Sequence, residues 1–292
     1  MFDPAQLAAL AAVLRSGSFD LAAAALHVTP SAISQRIRAL EERAGTILVI
    51  RSQPCTATEA GARLAAHADA VALLEQGLAR DLGREVAAAH LRIAVNADSL
   101  ATWVMPALVR CPDLLFEVVV DDQDHSDVLL RRGQVAGAVT SRAEPVQGCD
   151  SVALGALRYL ATASPGFLAR WCPQGCTPAT LAAAPGLTFS TKDRLQADWL
   201  RLWAGRALPY RTHVLPSPQA FVEGALQGLG WGMNPEPLVR AHLASGALVA
   251  LGEGLPMTVP LYWQASRMAA PALGGLTAAL RAAARGVLEP PG

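Results

Sequence analysis

Lysine is nearly missing from this sequence. Of 24 basic residues only Lys192 is a lysine, so almost every cationic contact must come from a fork-shaped guanidinium. Net charge is missing too: 24 acidic residues balance the 24 basic ones. That excludes a chain held on nucleic acid by bulk charge alone, but not a small reader domain diluted by a neutral one. With 16% charged and 52% hydrophobic residues, the 292-residue chain is too apolar to be disordered. No run reaches the ~18 apolar residues of a membrane span. Met1-Phe2-Asp3-Pro4 places no basic segment before the first apolar one, so no secretory signal and no membrane partner are expected, and the cytoplasm is the expected compartment. Five scattered cysteines, an odd number, read as reduced thiols rather than a disulfide framework. Cys172 and Cys176 lack the second ligand pair of a zinc site. A Gly-x-Ser-x-Gly elbow is absent, and Gly228-Leu229-Gly230-Trp231-Gly232 lacks the P-loop lysine. The expectation is therefore no catalytic residue, no metal and no cofactor.

At ~100–200 residues per domain the length suits about two or three domains. The first ninety residues are alanine-rich and helical in period. Asp3-Pro4 and Thr29-Pro30 are cap-plus-proline starts, Ser18 is a further cap, and Gly17 and Gly45 are stops, which predicts helices over 4–16, 18–26 and 30–44. Ile47-Leu48-Val49-Ile50, a turn at Ser52-Gln53-Pro54 and Thr56-Ala57-Thr58 read as a small hairpin, or wing. A long helix follows over 59–84. Its Leu64, Val71 and Leu78 fall seven apart with Leu74 between, a seam for a partner helix, although an intramolecular surface helix leaves a similar stripe. From Leu91 strands alternate with helices, which implies a mostly parallel, covered sheet. The predicted fold is α/β: a winged helix-turn-helix domain (1–58), a linker and dimerisation helix (59–89), and a two-lobed effector domain (90–292). Lobe I covers 90–160 and 265–292, and lobe II covers 161–264.

The chemistry concentrates on the third helix. Ile33, Ile37 and Leu40 share one face, while Ser31, Ser34, Gln35 and Arg38 share the other. Arginine pairs with guanine, glutamine with adenine, and serine reaches bases or phosphates. Periodicity alone favours a solvated amphipathic helix; the order helix, turn, helix, wing, long helix turns the reading to a DNA reader. Residues 19–37, followed by Leu40-Glu41 and Gly45, closely resemble the winged helix-turn-helix of LysR-type transcriptional regulators, and the resemblance extends over the whole chain. It implies DNA contacts from Thr29, Pro30, Ser31, Ser34, Gln35, Arg36 and Arg38, with Arg51 on the wing. Pro30 stands where many members carry glutamine, which shifts readout toward the neighbouring polar residues.

Residues 94–103, 130–139, Leu154-Gly155-Ala156-Leu157 with Tyr159, and Leu261-Tyr262-Trp263 resemble the arginine- and lysine-responsive (ArgP/LysG) branch of that family. The resemblance implies L-lysine or L-arginine as effector and control of a gene such as a basic amino-acid exporter. The residues agree independently. Segment 96–103 follows a strand and opens a helix, where open α/β sheets bind ligands, and it offers Asp98, Ser99, Thr102 and Trp103. Asp98 fits an N-cap as well as a ligand role. Asp121 and Asp122, after the second strand, suit a cationic side chain or form a solvated acidic turn. Thr140 and Asp193 complete the set. Expected partners are double-stranded DNA, the effector, further copies in a homodimer or homotetramer, and RNA polymerase. The competing readings are a regulator with another effector and a solute-binding protein of the same fold; the latter fits poorly with ninety helical leading residues.

Overall fold

The computed structural model describes residues 2–84, 88–120 and 126–290. The chain opens with α1 (Pro4–Ser16), α2 (Phe19–Ala25) and α3 (Pro30–Ala44). Local chemistry sets their ends. Asp3, Ser18 and Thr29 accept from the backbone N–H groups of Gln6, Leu21 and Ala32, satisfying donors a helix start leaves open. Gly17 and Gly45, at φ 67° and 69°, close α1 and α3 in a left-handed turn that a Cβ would strain. His27 makes the α2–α3 turn at φ 53° without a glycine. Ala22 and Ala23 let α2 approach closely, and Leu10, Val13, Ile33, Ile37, Leu40 and Leu48 form a small core.

Two short antiparallel strands, β1 (Val49–Ile50) and β2 (Thr56–Ala57), make the wing. Glu41 of α3 ties it down, its Oε1 accepting from the Leu48 and Val49 N–H groups at 2.8 and 3.3 Å. Thr58 donates its hydroxyl to the Ile47 carbonyl and accepts from Gly61 N–H, capping α4 (Glu59–Asp81). A Cβ on Gly61 would lie 1.9 Å from the Leu48 carbonyl oxygen, so wing and α4 meet only over a glycine.

At 23 residues α4 is about 35 Å long. Its inner face is divided between two cores: Leu64 and Ala68 pack with the winged domain, and Leu73 with the second domain. Gln76 adds a hydrogen bond to the Asp113 carbonyl at 2.9 Å. The expected seam is thereby split, because α1 lies against the first turns of α4 and occupies Leu64. Leu74, Leu78 and Leu82 remain on the outside, 39%, 62% and 68% exposed.

The second domain begins with β3 (Ala89–Val95). A helical stretch follows: α5 (Ala97–Ser99), a π-helical turn (Leu100–Val104) and α6 (Met105–Val109). Pro106, which cannot donate, sits just beyond the π turn and accounts for the broken i→i−4 pattern. Next come β4 (Leu114–Val120), α7 (Ser126–Arg131) and β5 (Gly137–Thr140), then the long β6 (Cys149–Ala163). The other lobe holds α8 (Pro165–Trp171), α9 (Pro178–Ala183), β7 (Gly186–Thr188), α10 (Leu195–Ala204), β8 (Thr212–Val214), α11 (Pro218–Leu226), β9 (Gly232–Pro235), α12 (Glu236–Ala244) and β10 (Val249–Ala250). Strand β11 (Pro256–Ser266) returns, and α13 (Ala270–Arg285) packs back on α6 and α4.

Parallel pairing holds for β3 with β4 and β5, and for β7 with β8. The sheet as a whole is mixed rather than mostly parallel, because β6 and β11 run antiparallel along each other from one lobe into the other. Toward one end β11 pairs β5; toward the other β6 pairs β9 and β10. Trp103, Trp199, Trp231 and Trp263 are fully buried, and the last three donate their indole N–H to Leu255, Leu181 and Thr277. These four of the six tryptophans therefore serve the cores rather than the surface.

Candidate functional site

Two places concentrate the expected residues. On α3, Ile33, Ile37 and Leu40 are fully buried, so the opposite side necessarily faces outward. Ser31, Gln35 and Arg38 are exposed there, and Ser34 and Arg36 are half-buried. Thr29 caps the helix and lies 3.1 Å from the Ser31 hydroxyl, with Pro30 in the first turn. The Arg38 guanidinium bonds Glu42 one turn on at 3.0 Å, with side chains 80% and 66% exposed; such a pair holds the fork weakly. Arg51, at the end of the wing strand, stacks over the Phe19 ring of α2 at 5.0 Å.

The second place is a cleft of about 420 Å³ between the lobes. Asn96 and Asp98 border it from the end of β3 and Tyr159 from β6, while Asp193, Gln196 and Asn234 border it from the opposite lobe. Asp98 is not the cap of α5; that position belongs to Asn96, whose side chain makes no capping bond. The Asp98 carboxylate instead accepts from the Tyr159 hydroxyl at 2.7 Å. Burial lifts its pKa to about 6; the tyrosine hydrogen bond opposes the lift and the Asp193 charge adds to it. Tyr159 is itself held well above its usual range by burial and by Asp98. Asp193 accepts from the Phe189 and Leu195 N–H groups at 2.9 and 3.0 Å, which fixes it at the start of α10.

Three further acceptors stand in the cleft wall. Asn96 Oδ1, Gln196 Oε1 and Asn234 Oδ1 are buried and receive no donor from the protein. Asn234 spends its amide N–H on Thr162 at 2.9 Å, which leaves its oxygen as the free end. The wall thus presents carboxylates and carbonyl-type oxygens, with Lys192 and Arg194 also bordering the opening.

Of the expected effector residues, the cleft brings together Asp98 and Asp193. Thr102 donates to the Asp98 carbonyl at 2.6 Å and so serves its own helix. Ser99, Trp103 and Thr140 are buried behind the wall and do not line the cleft. Trp103 belongs to the lobe core, and Thr140 accepts from Arg142 N–H in the turn after β5. Asp121 and Asp122 lie outside the described residues. Asn96, Tyr159, Gln196 and Asn234 escaped selection on sequence; the available signal was a lone amide within an apolar stretch, as in Met233-Asn234-Pro235. Among the described residues no group of three or more His, Cys, Asp or Glu is placed to hold a metal, and none of the helices is long and apolar enough to cross a membrane. Cys172 and Cys176 are thiols 3.7 Å apart.

Residues 4–62 match the family model for bacterial regulatory helix-turn-helix proteins of the lysR family, and residues 84–285 match the LysR substrate binding domain. The chain is 45% identical over 287 residues to the HTH-type transcriptional regulator LysG of Mycobacterium tuberculosis, spanning 98% of this chain and 94% of that protein. It is similar to the crystal structure of ArgP from Mycobacterium tuberculosis, with a TM-score of 0.81, 44% identity and 99% of each chain covered. It is also similar to full-length LysG from Corynebacterium glutamicum with bound effector Arg: TM-score 0.68, 39% identity, 99% of this chain and 100% of that one.

Proposed function

The chain belongs to the LysR family of DNA-binding transcriptional regulators, and from that premise we propose that it answers to a basic amino acid, L-arginine or L-lysine, held between its lobes. The observation that carries this reading is the chemistry of the cleft wall. Three buried oxygens without donors and three carboxylates, Asp98, Asp193 and the Arg194-paired Asp198, call for a ligand rich in N–H groups. A guanidinium brings five donors and an ammonium three. Each buried acceptor left unmade costs ~1–3 kcal/mol, which such a ligand restores and an aliphatic side chain does not. Asp98 and Asp193 take the cationic groups, and Lys192 and Arg194 suit the carboxylate end.

The rest of the proposal follows from placement. Residues 1–58 read DNA through Thr29, Pro30, Ser31, Ser34, Gln35, Arg36 and Arg38, with Arg51 toward the backbone. Residues 59–89 join two copies, and residues 90–292 sense the effector. The chain acts without catalysis, in the cytoplasm, on double-stranded DNA and with RNA polymerase, and a basic amino-acid exporter gene is its target. The effector shifts the regulator only by its difference in affinity between two arrangements. A thermal-shift screen of the full chain against the twenty amino acids tests the reading. Arginine or lysine at a hundred times its Kd should stabilise by about 2.7 kcal/mol. An equal shift from leucine or glutamate, or none from either basic amino acid, removes the proposal.

A further inference from the structure

We propose that a second ligand site, for a small organic anion bearing two or more phosphate or carboxylate groups, lies in the groove between α4 and the first lobe. This groove, of about 400 Å³, is separate from the interlobe cleft. Arg63 and His67 line it from α4, His90 and Arg92 from β3, and Arg131 and Arg132 from the end of α7. Asp69 is the one carboxylate among the lining residues, and Arg15 of α1 already holds it at 2.8 Å. Arg92 is likewise engaged, by Glu117 at 2.9 Å. Arg63, Arg131 and Arg132, all exposed, therefore border one groove from two sides with no ion pair among the described residues.

Guanidinium forks bind phosphate and carboxylate in pairs of charge-assisted hydrogen bonds, and an anion with two such groups reaches both walls. The floor carries buried Leu73, Leu91, Leu130 and Val135, which suits a ligand with an organic body rather than a bare ion. Because α4 carries the reading head and β3 with α7 belongs to the sensing domain, an anion between Arg63 and the Arg131–Arg132 pair would clamp the two together. This inference does not depend on what occupies the interlobe cleft, whose lining residues are different.

Calorimetric titration of the effector-free full chain, with inorganic pyrophosphate and with citrate as separate probes, decides the matter. Saturable binding of either probe is expected, and the better probe tells phosphate chemistry from carboxylate chemistry. Arg63→Gln and the pair Arg131→Gln/Arg132→Gln should each weaken binding by about tenfold or more, with Arg→Lys recovering part of it. Binding of basic amino acids should be unchanged in these exposed variants. Saturation by neither probe overturns the site, as does binding that the three substitutions leave intact, which would assign the anion to another basic face, such as the winged domain or the Lys192 and Arg194 rim of the interlobe cleft. Loss of duplex DNA affinity alone in the variants would make the groove a DNA-contacting surface and equally overturn it.

Discussion

Burial lifts the Asp98 carboxyl from 3.8 to about 6, so between those values the folded chain keeps a proton that the unfolded chain has released. Stability therefore falls as pH rises through that window, and above it the chain carries a buried charge costing on the order of 3 kcal/mol. Asp98→Asn should raise the melting temperature at pH 7.5 by roughly 2–5 °C while leaving it nearly unchanged at pH 4. The same variant should lose arginine and lysine binding. For the unaltered chain the sign is reversed: a cationic ligand favours the carboxylate, so affinity should fall below about pH 6, approaching tenfold per unit. Calorimetry at pH 5 and 7.5 reads this directly, and a pH-independent affinity that Asp98→Asn leaves in place would clear Asp98 of the role. Asp98 and Asp193 were visible in the sequence because an acidic residue just past an apolar strand is a local signal. Asn96, Gln196 and Asn234 were hidden, since an amide becomes a candidate only when folding buries its oxygen beyond reach of a donor.

Helix ends were legible for a similar reason. Asp3-Pro4, Ser18, Thr29-Pro30, Gly17 and Gly45 act over one turn, and the structure starts and stops α1, α2 and α3 at them. The long crossing strands were less so. Gly155, at φ 132°, interrupts β6 where a Cβ would meet the Glu289 carbonyl oxygen at 2.4 Å, so the strand reads as two short runs rather than one that spans both lobes. On α3, Arg38 pays little to leave its exposed partner Glu42, since such pairs contribute about 0.3–0.5 kcal/mol. Arg38→Ala should therefore cost ~1–3 kcal/mol at one base position of the operator and relax its specificity there, as measured by binding to a panel of single-base variants. Uniform weakening across the panel would reassign Arg38 to a phosphate. At the joint of wing and α4, Gly61→Ala drives a methyl into the Leu48 carbonyl. A destabilisation of about 1–3 kcal/mol is expected, read by chemical denaturation and by faster hydrogen exchange at Leu48 and Val49.

For the whole molecule, the decisive question is what covers the outer face of α4. Its inner face is committed to its own chain, through Ala68 on the winged side and Leu73 with Gln76 on the sensing side. Leu74, Leu78 and Leu82 project outward in steps of four, a stripe that burial would stabilise by ~1.5–3 kcal/mol per leucine. Two winged domains joined along such a stripe would present two copies of α3 to a two-fold operator, which matches half-sites about one helical turn apart. Leu78→Asp should then place an unpaired carboxylate in the joint and yield monomers by light scattering. Because Leu78 touches neither core, the variant should keep its circular dichroism and its arginine binding, while operator affinity drops toward that of a single half-site. A dimer that persists at micromolar concentration in Leu78→Asp would show that this face is solvated and that the copies meet elsewhere.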